Sequence, residues 1–249
     1  MRTLILTLVF VLALIAGLVA FTPLGFVLER SGLARTGAGW AQVEGTIMQG
    51  RISGLHVSGQ PVGDVNLKLR PISLLTLSPQ YDVQWGGAGG SGSGLITMTQ
   101  NSLLAEELRL QQNISSIEGL ALPVRAIGGT VRLTGASIKL TRTGCERAAG
   151  TITTDVLSRF AQQYGRQFGA VQGPLACKNG EVVADLEGRS ERGDRLSVAA
   201  RGSLLGSAVF DAVIETRDTE VMLALSQTEF QRDGDSWRYH YETTGGIGQ

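Results

Sequence analysis

Val65-Asn66-Leu67-Lys68-Leu69-Arg70 alternates apolar and polar residues without a slip. Successive side chains of a strand point to opposite faces, so Val65, Leu67 and Leu69 are expected on a core and Asn66, Lys68 and Arg70 in water. The same rhythm returns downstream. Tyr81, Val83 and Trp85 alternate with Asp82 and Gln84, and Val182, Ala184 and Leu186 oppose Val183, Asp185 and Glu187. Phe210, Ala212 and Ile214 alternate with Asp211, Val213 and Glu215, and Trp237, Tyr239 and Tyr241 with Arg238, His240 and Glu242. The 34 glycines and 6 prolines fit many tight turns and argue against a proline-rich spacer. The predicted fold class is mainly β: an N-terminal transmembrane helix, then a curved antiparallel β-sheet domain with one or two packed helices.

Curvature is suggested by Thr130 to Arg142, where the apolar parity changes from Val131 and Leu133 to Ile138 and Leu140 with Gly135 between. A one-residue slip turns side chains to the opposite face, so a glycine bulge or a turn between two short strands is required there. Two stretches break the β rhythm. From Asp155 to Gly169, Val156, Leu157, Phe160, Tyr164 and Phe168 fall at helical spacing, with Thr154 or Asp155 as cap and Gly169 as stop. Thr219 to Arg232 reads equally as helix or strand, and Ile114 to Leu120 as a short helical turn. Gly45-Thr46-Ile47 and Gly150-Thr151-Ile152 recur in two loosely similar halves, about 40–122 and 126–249.

Leu4 to Phe21 is apolar apart from Thr7 and Gly17, and the character continues past Pro23 to Leu28. About 20 such residues in a helix span a bilayer core, so residues 1–28 are expected to be a transmembrane anchor and 29–249 a β-rich domain beyond it. The competing reading is a cleaved signal peptide cut after Ala20. The run is longer than the usual apolar region of about 7 to 15 residues, and bulky Leu18 would stand three before the cut, which favours the anchor. Arg2 against Arg30 and Arg35 leaves the orientation open.

Cys145 and Cys177 are the only cysteines, with no Cys or His spacing of a zinc site. Beyond an export-type segment they read most simply as one disulfide, two separate buried thiols being the alternative. A disulfide places the domain outside the cytosol, in an oxidising space such as a bacterial periplasm. Acidic and basic residues balance at 22 each, so no overall field points to nucleic acid or to an acidic substrate.

No catalytic constellation emerges. Gly87-Ala88-Gly89-Gly90-Ser91-Gly92 has the spacing of a dinucleotide fingerprint, but Leu95-Ile96-Thr97-Met98-Thr99 follows with no helix start, leaving no aligned N–H groups for a pyrophosphate. A flexible hairpin loop is expected there instead. The two histidines, His56 and His240, sit in strand-like segments without a companion nucleophile motif. Asp233-Gly234-Asp235 lacks the remaining ligands of a calcium loop and reads as a turn. Asn113-Ile114-Ser115 is a formal glycosylation acceptor without a supporting context, and Lys68, Lys139 and Lys178 are scattered. No catalytic, cofactor-binding or metal-ligating residue is assigned.

Val43-Glu44-Gly45-Thr46-Ile47-Met48-Gln49-Gly50-Arg51, then Gly59-Gln60-Pro61-Val62-Gly63-Asp64-Val65, then Leu67-Lys68-Leu69-Arg70-Pro71, resembles the signature of type II secretion system protein N. The matching positions are Gly45, Thr46, Gly50, Gly59, Pro61, Gly63, Arg70 and Pro71. Met48 and Leu67 stand where that family often has tryptophan, and both remain large and apolar. The resemblance implies a non-enzymatic inner-membrane accessory component of the type II secretion system. It would sit single-pass in the cell inner membrane via residues 4–28, with its C-terminal domain in the periplasm. Its partners would be other secretion components or exported proteins, met through sheet edges or the concave face of the sheet, with no cofactor. The alternative is a periplasmic lipid-binding or lipid-bridging β-groove, an open trough lined by Val65, Leu67, Tyr81 and Val83. In an ordinary core the helix at Asp155 to Gly169 would cover those residues.

Overall fold

A computed structural model describes residues 6–7, 10, 17, 21–32, 37–57, 60–87, 89–117, 122–163, 167–203 and 207–243. Among the described residues, fifteen strands form one antiparallel sheet. They are β1 (Ala38–Gly39), β2 (Gln42–Gly45), β3 (Gln49–Val57), β4 (Gln60–Leu69), β5 (Gln80–Gly87), β6 (Gly90–Met98), β7 (Ser102–Asn113) and β8 (Thr130–Thr141). The second part of the chain adds β9 (Gly144–Thr154), β10 (Val171–Lys178), β11 (Glu181–Arg189), β12 (Arg195–Gly202), β13 (Ala208–Glu215), β14 (Gln231–Asp233) and β15 (Ser236–Thr243). From β3 to β13 each strand pairs with the next in the chain, so the sheet is one long meander; β1 and β2 lie along β3, and β13 pairs with β15, which carries β14. The helices among the described residues include α1 (Leu24–Ser31), α2 (Leu122–Ile127), α3 (Val156–Gln163) and α4 (Thr219–Ser226).

The alternating segments pair in matching register. Val65 lies opposite Trp85, Leu67 opposite Val83 and Leu69 opposite Tyr81, all on one face. On the C-terminal strands, Leu186 faces Val198, Val198 faces Ala212 and Ala212 faces Tyr239. The parity change at Gly135 is a bulge inside a single strand, β8: pairing with β9 steps from Thr134 opposite Thr151 to Ser137 opposite Ala149, and Gly135 takes φ +59°. The bulge turns Ala136 into full burial.

The apolar face gathers into two clusters. One is built on Leu24, Ile52, Val65 and Val83; the other on Ala136, Val171, Leu175, Ala184, Leu186, Val198 and Ala212. Among the described residues no second sheet covers either. The lid of the first cluster is α1, whose Leu24 is buried in it and whose Leu28 packs beside it, while Leu157 of α3 packs on the second. Val65 and Val83 are buried in the cluster that holds Leu24, with Leu67 and Tyr81 partly buried against it, and the helix after Asp155 packs on the other cluster instead.

No helix among the described residues is long and apolar enough to cross a membrane, and the predicted span lies for the most part outside them. Its last residues lie inside: Pro23 bridges Thr46 and stands at the N-cap of α1, whose Leu24 and Leu28 serve the sheet's core while Phe26 and Val27 are exposed. The predicted helix from Asp155 is shorter than expected, since Phe168 already bridges Ser190; Tyr164 lies outside the described residues. Thr219 to Arg232 divides into α4 and the start of β14, and the turn after Ile114 is a 3-10 turn over Ile114–Ser116.

The glycine segment is a tight hairpin. Gly87 pairs with Gly90, and β6 continues through Gly92, whose missing Cβ makes room for the Trp85 ring. Ala88 lies outside the described residues.

Candidate interaction surface

The residues that carry the family likeness fall at both ends of the N-terminal strands. Gly45 closes the turn between β2 and β3, and Thr46 pairs with Pro23. Ile47 N–H donates to the Thr22 carbonyl at 3.1 Å, so the incoming chain is stitched to that turn. Gly50 faces Leu24 so closely that a Cβ there would run into the leucine's Cδ2, which is what lets α1 settle on the sheet. Pro61 lies opposite His56, and Gly63 lies against the backbone of Gly86 and Gly87 in β5. Gly59 lies outside the described residues. Arg70 ends β4 with two bonds to Asp82, Nε–Oδ2 at 3.0 Å and Nη2–Oδ1 at 2.7 Å, and Pro71 opens a 3-10 turn, Pro71–Thr76. Gly45, Thr46 and Gly50 build the seat of the N-terminal segment and Arg70 and Pro71 the β4–β5 connection, while Pro61 and Gly63 shape the opposite, β3–β4 end.

The polar face carries ion pairs across neighbouring strands. Arg51 bonds Asp64, Lys139 bonds Glu146 at 2.7 Å, and Arg201 and His240 both meet Asp211. The Arg51 guanidinium, helped by the Gly54 N–H, holds the Asp64 carboxyl below the usual carboxylate range; Arg70 does the same for Asp82, and the hydrogen bond from His240 for Asp211. Asp64 also fills the gap left by the β3–β4 bulge, accepting from Gly54 N–H at 3.1 Å. Each pair is solvent-exposed and screened by water, so they fix register more than stability.

The two histidines lie on strands far apart in the sheet, His56 on β3 and His240 on β15. His240 Nδ1 lies 2.6 Å from Asp211 Oδ1, but among the described residues no hydroxyl or thiol completes a nucleophile–base pair with it. His56 lies on β3 with its ring over Gly39, and its Nδ1 is 3.4 Å from the Gly54 carbonyl. No group of three or more His, Cys, Asp or Glu that could hold a metal ion occurs among the described residues. Asp233 and Gly234 form the expected turn, between β14 and β15.

Cys145 and Cys177 are joined in a disulfide, with Cα atoms 5.6 Å apart. It crosses the seam between β9 and β10. The ladder there runs from Val171–Thr154 to Pro174–Thr151, and beyond it Cys145 N–H donates to the Gly180 carbonyl at 2.7 Å. The covalent link replaces the missing rungs.

Two features escaped the sequence reading. One is a crevice of about 280 Å3 between α3, α4 and the apolar face, lined by Leu157, Ala161, Leu196, Ile214, Val221 and Leu225. The other is the β4–β5 connection, where Ile72, Leu74, Leu75 and Leu77 stand in solvent. Its signal was present in Pro71-Ile72-Ser73-Leu74-Leu75-Thr76-Leu77-Ser78-Pro79, an apolar run without strand alternation between two prolines.

A family model described as type II secretion system (T2SS), protein N matches residues 36–231. No curated protein and no solved structure matches the chain.

Proposed function

Since the chain belongs to the type II secretion system protein N family, we propose that it is a non-enzymatic accessory component of that system, contributing to export of folded periplasmic proteins across the outer membrane through protein–protein contacts. In this reading Leu4 to Phe21 holds it in the inner membrane and the sheet stands in the periplasm. The observation that carries the reading is a single sheet with one side built as a core and the other rich in charged and polar side chains, several of them in cross-strand ion pairs. The sheet path has fourteen strands. At about 4.8 Å between neighbours it is roughly 60 Å across. Strands of about eight residues at about 3.3 Å each make it roughly 26 Å tall, so the polar face offers about 1,500 Å2. A standard interface takes about 800 Å2 from each partner, so the face has room for more than one contact.

The test is photo-cross-linking in living cells from the exposed polar-face positions Gln84 on β5 and Ser197 on β12, in the full chain. Adducts with other secretion components or with exported proteins are expected. Absence of adducts from both positions, while export proceeds, would count decisively against a docking face.

The crevice between α3 and α4 favours a second reading, lipid binding. It lies near the lower end of ligand-pocket volumes, about 300 Å3, and its aliphatic walls are rimmed by the charged Glu191, Arg192, Asp194 and Glu220. Acyl chains found by mass spectrometry in the purified protein would support it; a clean preparation would remove it.

A further inference from the structure

We propose that the β4–β5 connection is a second membrane contact, an apolar knob that enters the interface of the bilayer holding the N-terminal segment and fixes how the sheet stands on it. The inference rests on the membrane-anchored reading above and deepens it. Leu75 and Leu77 are 86% and 89% exposed, Ile72 is 79% exposed, and Leu74 is also exposed. From Ile72 to Pro79 there is no charged residue. Contiguous exposed apolar side chains of this kind mark a protein or membrane contact.

The knob is built, not slack. Ser73 is buried at its base; its hydroxyl donates to the Arg70 carbonyl at 2.6 Å and accepts from Gln80 N–H at 2.9 Å. Thr76 Oγ1 donates to the Ser73 carbonyl, and Leu77 N–H closes back on Leu74. The Arg70–Asp82 pair clamps the strands beneath. Hydrogen bonds inside the turn hold the leucines outward, so their exposure is a property of the fold.

Position commits the knob to the bilayer over a protein partner. The apolar run Leu4 to Phe21 meets the sheet at Thr22 and Pro23. From there backbone bonds lead across one end of the sheet: Ile47 N–H to Thr22, Leu69 N–H to Met48, Arg70 N–H to Gln80 and Met98 N–H to Pro79. The knob therefore projects from the same end of the sheet at which the apolar run arrives, two or three strand spacings away, on the order of 10–15 Å. Exposed Phe21 and Met98 flank it at that end. A surface that carries an apolar segment into a bilayer brings its apolar neighbours to the interface with it, where such side chains partition favourably.

The test uses the full chain in vesicles of phosphatidylethanolamine and phosphatidylglycerol. An environment-sensitive fluorophore is attached at Leu75→Cys, or at Asp235→Cys in the β14–β15 turn on the opposite end; the native cysteines are tied in their disulfide. Lipids carrying a quencher near the headgroup should dim the Leu75 probe about twofold and shift its emission to the blue, leaving the Asp235 probe unchanged. Equal behaviour of the two probes on vesicle-bound protein overturns the knob alone. A Leu75 probe shielded only when other secretion proteins are added overturns it too, in favour of a protein contact. Failure of the chain to float with the vesicles overturns the anchored reading beneath it.

Discussion

Asp155 shows what a local pattern conveys and what it omits. Its place before an apolar periodic stretch makes it a helix cap in the sequence; in the fold its carboxylate reaches 25 residues back and accepts the Thr130 N–H at 2.6 Å, while Arg159 bonds its other oxygen at 3.2 Å. Thr154 supplies the oxygen for the Val156 N–H. Burial raises the Asp155 pKa, but the Thr130 N–H and Arg159 outweigh it, so the carboxyl titrates below its ordinary range. A group depressed on folding stabilises the protein fully above its unfolded pKa of about 3.9 and loses that contribution as pH falls through the folded value. Stability should therefore stay level from about pH 5 to 8 and fall below about pH 4. Asp155→Asn should cost about 1 kcal/mol in denaturant melts at neutral pH, the difference closing in acid; an equal loss at every pH would refute the charge-based account. Gly50 was legible as a signature position but not as a contact, because its partner Leu24 was read as part of the membrane span.

Strands were the most legible elements, since their period of two survives wherever one face is buried. The helices were less so. The stretch after Thr219 holds apolar residues that suit either state, and Asp218 decides its first half by accepting the Glu220 and Val221 N–H groups, a cap that turns Thr219–Ser226 helical before β14 begins. The Gly135 bulge and its glycine were readable; that it lies within one strand depended on Ala136 packing against the β7 and β9 partners. At the β9–β10 seam the pairing of the cysteines was legible as an expectation, but the lapse in the ladder after Pro174 was not. Closing a loop of 32 residues stabilises a fold by roughly 3–4 kcal/mol in the chain-entropy account. Replacing both cysteines with serine should lower the calorimetric midpoint by about 10 °C at roughly 2–4 °C per kcal/mol, with faster amide exchange in residues 145–149 and 175–178. An unchanged midpoint would mean that the seam holds without its covalent link.

At the scale of the whole molecule, the meander gives the sheet two unlike ends. One receives the N-terminal segment at Thr22 and carries the apolar turn after Arg70; the other carries α3, α4 and the crevice between them. The mainly β fold and the family were legible from alternation and from the Gly45 to Pro71 signature. The polarity of the ends was not, because it depends on which hairpin tips the topology brings beside Pro23. The account joins a membrane-held base to a broad polar face serving secretion. Its most direct test is the location of exported proteins in cells lacking the chain, supplied either with the full chain or with one whose Leu4 to Phe21 is replaced by a cleavable signal. Retention of those proteins in the periplasm, relieved by the full chain and not by the detached form, is the expected result. Unaltered export without the chain, or full relief by the detached form, would contradict it.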